Sequence, residues 1–298
     1  MALDRAVSSI FDEVKINSVN GEYDPEKAQY KARGRRMQAS YRGKKIVGHK
    51  KLRKFVDGAL SDGQSAEAIA GRLKYQEKHL PYVSKDTIYR YLKSPYGKLI
   101  GIKWKKKIKS KKPRKDSRLE DRVFIDKRPE IIEKRLRVGD LEADFIVSGR
   151  DGKGVLLVAV CRKLRVAFLE LILDVSIDEV HSAFERIKKR FPELKTLTLD
   201  NDILFKMHKA LEKLLGAEIY FCHPYHSWEK GGVENANMEI RKFIPKGSNL
   251  SHYDEKFIQA VEEHLNERFM KCLEYKTPEE KLKDHRENKK NSPWSCEN

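Results

Sequence analysis

Residues 141–148, 154–160 and 166–173 are three β-prone runs in succession, each bounded by turn residues. They predict an antiparallel meander. From there the pattern alternates. An amphipathic helix over 176–190 carries Val180, Ala183, Phe184 and Ile187 on one side. A strand over 194–199, a helix over 205–215 and a short strand over 218–221 follow. Three strands and then alternating helix and strand confine this region to a mixed five-stranded sheet flanked by helices, an α/β order. No internal repeat with a period of about 20–50 residues competes with it. A last long helix is expected over 253–269.

Residues 220–246 leave the fifth strand, cross a proline-bearing loop and enter a helix. Ser227 is the expected N-cap, its hydroxyl accepting from a free first-turn amide. Val233, Ala236, Ile240 and Phe243 recur at helical spacing and form a buried face. Glu234, Asn237 and Arg241 fall on a neighbouring face that can only be polar. A carboxylate at the edge of a core-facing helix can bind a metal or move a proton. Taken alone it reads more readily as part of a solvated helix face.

Other carboxylates bear on that choice. Asp140, Glu142 and Asp144 alternate along the first strand and share one face. Asp200 ends the fourth strand, where α/β sheets expose their ligand crevices. Converging carboxylates repel one another and are costly to bury unpaired. Two divalent cations would relieve both problems. Mg²⁺ prefers oxygen ligands and keeps waters for substrate phosphates. A pair of ions about 4 Å apart activates a nucleophile and stabilises a leaving oxygen in phosphoryl transfer.

The chain has 298 residues, with 63 Lys and Arg against 45 acidic residues and a net charge of +18. Such an excess points to a polyanionic partner, most simply nucleic acid, and the helix pair and the resemblance below narrow that expectation to double-stranded DNA. No run approaches the roughly 18 apolar residues of a membrane span, and no signal pattern opens the chain. A cytoplasmic setting without membrane partner is expected. Cys161, Cys222, Cys272 and Cys296 form no C-x-x-C pair, which argues against structural zinc or a disulfide framework.

The amino-terminal third is helical and basic. Residues 1–50 form a basic segment with a helix over 25–38, and 52–60 a further short helix. Ser65 can cap a helix with Ala66, Ile69, Ala70 and Leu73 inward. Ser84 can cap a second, with Ile88, Tyr91 and Leu92 inward. Lys85, Thr87, Tyr89, Arg90 and Lys93 lie outward on it. The pair suits a helix-turn-helix over 51–100, its second helix entering a major groove. A basic linker over 101–126, the α/β core over 127–286 and a polar tail over 287–298 complete the expected organisation.

The residues also carry a resemblance. Glu142-Ala143-Asp144, Asp200-Asn201, and the W-x-K-G-x-x-E-N-x-N of Trp228 to Asn237 with Arg241 and Pro245-Lys246-Gly247 resemble the bacterial transposases of insertion-sequence family thirty. The spacing agrees as well, with 55 residues between Asp144 and Asp200 and 33 between Asp200 and Glu234. Asn266-Glu267-Arg268, Thr277-Pro278 and the helix pair at 65–73 and 83–94 extend the likeness, which covers residues 17–283.

That resemblance implies a ribonuclease-H-like core of the retroviral-integrase type. Its catalytic triad is Asp144, Asp200 and Glu234, holding two Mg²⁺ or Mn²⁺ ions. The strand pattern alone leaves Asp140, Glu142 and Asp144 open; the resemblance selects Asp144. It gives Glu142, Asn201, Lys230, Asn235, Asn237 and Arg241 as residues that support the ligands or touch DNA. The implied reaction cuts inverted-repeat ends with water and joins the freed 3′ hydroxyl to target DNA. It needs no Ser or Tyr nucleophile and no small-molecule substrate. A homo-oligomer is expected, since two DNA ends need coordinating. The sequence departs from the family at Asp202-Ile203-Leu204, where glycine and a nearby glutamate are usual, and at Leu141, where tryptophan is usual. A first helix-turn-helix common in the family is not evident. These departures motivate an alternative, a transposase-derived DNA-binding protein with impaired catalysis.

Overall fold

The structure, a computed structural model, describes residues 5–39, 44–98, 122–150, 152–200, 203–223 and 227–290. Asn201, Asp202, most of the basic linker and the last residues of the tail lie outside the described residues. The described chain falls into two compact units. One takes 5–70 and 79–98, the other 71–78 and 122–290.

The first unit is helical: α1 (Val7–Asn17), α2 (Pro25–Ala39), α3 (Lys44–Val47), α4 (Lys50–Ser61), most of α5 (Ala66–Tyr75), α6 (Lys85–Leu92) and α7 (Pro95–Lys98). Amphipathic spacing sets its core. Ile46, Leu52, Val56, Ile69, Ile88 and Tyr91 are all fully buried. Both expected caps form. The Ala68 amide donates to Ser65 Oγ at 3.1 Å, and the Thr87 amide to Ser84 Oγ at 3.3 Å. Tyr91 from α6 donates its hydroxyl to Asp57 of α4 at 2.6 Å, so the buried ring keeps a polar partner.

The second unit is built on a five-stranded sheet: β1 (Asp140–Val147), β2 (Val155–Cys161), β3 (Ala167–Ile172), β4 (Thr196–Leu199) and β5 (Glu218–Phe221), in the order β3-β2-β1-β4-β5. The first three strands form the expected antiparallel meander. β1, β4 and β5 are parallel. Around the sheet lie α8 (Glu130–Glu133), α9 (Ile177–Arg190), α10 (His208–Leu215), α11 (Gly231–Ile240), α12 (Glu255–Asn266) and α13 (Pro278–Lys290).

Strand alternation sorts side chains into two cores. Leu141, Ala143, Leu157 and Leu197 pack with Val180, Phe184 and Leu211 from α9 and α10. Ile146, Leu156, Val158 and Leu169 pack with Val233, Ile240, Ile258 and Val261 from α11 and α12. β2 is buried along its whole length because both faces are covered. α9 is locally well specified. Ser176 Oγ accepts from the Glu179 amide at 3.1 Å, acids fill the first turn and bases the last.

Several boundaries differ from expectation. α11 starts at Gly231, and Ser227 opens a short 3-10 turn (Ser227–Lys230) instead of capping the helix. Phe243 is exposed, because α11 stops at Ile240 and the next residues leave its face. The helix expected over 205–215 is split into a 3-10 turn (Ile203–Phe205) and α10, which ends at Gly216 with φ +56°. α12 is shorter than expected; Asp254 caps it by accepting from the Phe257 amide at 2.8 Å.

Candidate active site

Two of the predicted carboxylates, Asp144 within β1 and Asp200 just past β4, are brought to one cation. β1 and β4 are parallel neighbours, with Glu142 in register with Thr198. Asp144 therefore lies two residues further along the same face of β1, and Asp200 follows the last residue of β4. Between them stands the Lys230 ammonium, 3.3 Å from Asp144 Oδ1 and 2.9 Å from Asp200 Oδ2. The lysine side chain is 4% exposed, that of Asp144 25% and that of Asp200 49%. The crevice thus has a closed floor and an open mouth.

Its electrostatics follow from that shape. Burial pushes the Asp144 carboxyl above its ordinary range; Lys230 opposes the rise and the nearby Asp200 adds to it. Burial works against the charge on Lys230, yet attraction by Asp144 and Asp200 outweighs it and the lysine pKa is raised. The ammonium is a cation held where two carboxylates need one.

α11 carries the remaining groups. Asn237 donates its amide to Asp144 Oδ2 at 2.9 Å. Its other amide atom, Oδ1, is buried with no partner. Glu234 sits one turn earlier, half-buried, and makes no hydrogen bond or ion pair among the described residues. The helix is seated by Glu142, whose Oε2 accepts from the Gly232 and Val233 amides at 2.8 and 3.2 Å. Two orphan first-turn donors are thereby satisfied by a strand residue. Glycine at 232 is required by this approach, since a Cβ there would stand 2.5 Å from Glu142 Oε2. Arg162, at the end of β2, holds the other Glu142 oxygen at 2.5 Å, with both side chains buried.

Arg162 was not singled out from the sequence. Its signal is a charge just past a fully apolar strand, beside Lys163 in the turn, and nothing local names its partner. Glu142, expected to support the ligands or touch DNA, is fully buried and acts on the position of α11. Lys230 and Asn237 touch the predicted ligand Asp144 directly. Asn235 is exposed on the next face of α11, and Arg241 donates to the Pro245 carbonyl at 3.3 Å. On α6, Lys85, Tyr89, Arg90 and Lys93 are exposed and Thr87 is half-buried against Ser84 Oγ.

Asp144, Asp200 and Glu234 offer oxygen donors only, the set a hard divalent cation prefers. Among the described residues no three acidic, His or Cys side chains converge tightly enough to enclose a metal. Asp144 and Asp200 nevertheless share one cation, and the orphaned Asn237 Oδ1 lies beside them. The donor chemistry fits a hard divalent cation, which Asp144 and Asp200 would hold.

Fold and crevice together define an α/β core with two carboxylates on adjacent parallel strands, one within β1 and one just past β4. Comparison with known proteins gives the family. The transposase for insertion sequence element IS4351 of Bacteroides fragilis is 37% identical over 288 residues, covering 93% of this chain and 86% of that protein. The transposase for IS1086 of Cupriavidus metallidurans is 29% identical over 290 residues, 93% of this chain and 85% of that one. Transposase InsI for IS30A of Escherichia coli K12 is 29% identical over 296 residues, 94% and 76% of the two chains. The chain belongs to the insertion-sequence transposases of family thirty, which have an integrase-like catalytic core. No family model matches it. A solved structure of the catalytic core domain of BIV integrase aligns with 51% of this chain and 99% of its own, at 18% identity and a TM-score of 0.41. No helix among the described residues is long and apolar enough to cross a membrane.

Proposed function

We propose that this protein moves an insertion sequence by metal-dependent phosphoryl transfer on DNA. It cuts the element's inverted-repeat ends and joins the freed 3′ hydroxyls to target DNA. The observation that carries the reading is the shared cation between Asp144, within β1, and Asp200, just past β4, with 55 residues between them in sequence. Family membership supplies the substrate class.

In this reading Asp144, Asp200 and Glu234 hold two Mg²⁺ or Mn²⁺ ions. When bound, the ions supply Lewis-acid stabilisation of the attacking and leaving oxygens of an in-line displacement. The chain's own residues do the positioning. Asn237 fixes one oxygen of Asp144, which leaves the other turned toward Lys230 and the crevice. Glu142 and Arg162 fix the start of α11 and with it the height of Glu234 above the sheet. Lys230 keeps the two aspartates together while no ion is bound, and afterwards its charge is available to a DNA phosphate. The exposed face of α6 with Lys85, Tyr89, Arg90 and Lys93 binds duplex DNA, Thr87 standing at its first turn. Two copies of the chain, or more, bring the two ends together.

The test is end joining by the full chain, supplied with a DNA fragment carrying the element's own ends and a target plasmid. Joined products are expected with Mg²⁺ or Mn²⁺ and none with EDTA. Tight DNA binding with no cleavage or joining in either metal would overturn the catalytic reading and leave a DNA-binding derivative of a transposase.

A further inference from the structure

A basic pocket lies on the side of α11 away from the carboxylate crevice. A cavity of about 310 Å³ opens there, between the β2–β3 turn, the end of α8 and α11 itself. Arg135, Arg165 and Arg268 line it together with Gly231 and Asn235, and no acidic residue does. Arg268 has an acid in reach, Glu239 at 3.4 Å, which also holds Lys242. Arg135 and Arg165 make no side-chain hydrogen bond or salt bridge among the described residues, although both are half-buried. Nearby Glu142 is occupied by Arg162 and the α11 amides, and Glu133 by Arg128.

The backbone supplies an independent observation. Arg135 has φ +56° and Arg165 φ +62°, two of the five non-glycine residues with left-handed backbone in the described chain. Arg135 follows α8 in a Schellman turn. The Leu136 amide reaches the Ile131 carbonyl and the Arg135 amide the Ile132 carbonyl, both at 3.0 Å. Arg165 closes the β2–β3 hairpin, its amide 2.9 Å from the Cys161 carbonyl. Glycine or asparagine is the ordinary residue at either position, because a Cβ is strained there. Left-handed backbone is kept at two turns whose arginines both line one cavity and form no salt bridge among the described residues, a geometry that supports a binding role.

We propose that this pocket binds a phosphate group, specifically a backbone phosphate of the DNA strand engaged by the active site. Guanidinium donors match phosphate oxygens in charge and geometry, and several of them converge on one volume. Asn235 and Gly231 place the pocket on the helix that carries Glu234, one residue round from it. A strand gripped there is held in register with the carboxylate crevice. The identity of the anion as DNA rests on the proposed function; the pocket's affinity for phosphate does not.

The test compares the full chain with the double variant Arg135→Asn/Arg165→Asn. Asparagine tolerates left-handed backbone, so thermal unfolding should be unchanged or improved. Two readouts are taken: inorganic phosphate binding by calorimetry, and duplex DNA affinity between 50 and 200 mM salt. Phosphate binding should be lost. The slope of log K against log salt should fall by about one, the loss of one phosphate contact. Arg135→Lys/Arg165→Lys, which keeps the charge, should restore most of the slope. An unchanged slope in the asparagine variant overturns the DNA assignment, even if inorganic phosphate still binds the parent. A parent that binds no phosphate overturns the pocket. If the parent binds no DNA but loses phosphate in the variant, the pocket stands and the proposed function fails.

Discussion

Asp144→Asn and Asp200→Ala should each reduce end joining by more than about 100-fold, while DNA binding is unchanged or slightly tighter. The size follows from position. Loss of a residue that only supports a metal ligand typically costs about 10- to 100-fold, and these residues are the proposed ligands themselves. The direction of the binding change follows from charge: removing a carboxylate from the mouth of the crevice lessens repulsion of incoming phosphates. Both variants should fold. Asp200 is half-exposed, and asparagine at 144 keeps an oxygen for the Asn237 amide. Joining assays and gel-shift titrations on the same preparations check both halves. Joining retained in either variant would remove that residue from the triad.

Glu142→Ala should destabilise the protein by about 3–5 kcal/mol, the usual cost of deleting one partner of a buried ion pair. The glutamate and Arg162 side chains are 1% and 3% exposed. Without Glu142 the guanidinium keeps its hydrogen bond to the Ile132 carbonyl, and Glu133 lies 3.9 Å away on the surface side. Burial already depresses the Arg162 pKa, with Arg128 and Arg135 adding to it and Glu142 opposing, so the loss of Glu142 is felt in full. The Gly232 and Val233 amides lose their acceptor as well. A fall in melting temperature of roughly 10 °C is expected for a unit of this size. Glu142→Gln should cost less, because an oxygen remains for the helix amides. Calorimetric melts of the two variants decide it; a shift under about 1 kcal/mol for Glu142→Ala would mean that α11 is seated by something else.

The sequence spoke most clearly where the determinants are local. The meander and the α9 helix follow from period and from a Ser cap three residues before its partner amide. Asp144 and Asp200 were legible as strand-borne acids, one in the strand and one at its end. The start of α11 departs from its local signal for the opposite reason: Ser227 is a plausible local cap, whereas the first-turn amides are taken by Glu142, some ninety residues earlier in the chain. The Arg162 pairing and the bridging role of Lys230 are likewise tertiary facts, invisible to spacing. α13 was not anticipated because a helix this polar shows no apolar stripe to read. On α6 the expected faces formed, since Ile88 and Tyr91 are buried and Lys85, Tyr89, Arg90 and Lys93 are not. The predicted role of Asn201 concerns a residue outside the described ones.

The measurement that bears most directly on the central claim is the position of Mn²⁺ in crystals of the full chain, located by anomalous scattering. The account predicts a peak between the Asp144 and Asp200 carboxylates, with the Lys230 ammonium moved away from the point it occupies between them. Glu234 should turn toward the same volume, and the peak should vanish in Asp200→Ala crystals. Lys230 still bridging the two aspartates at saturating Mn²⁺, with no peak in the crevice, would contradict it.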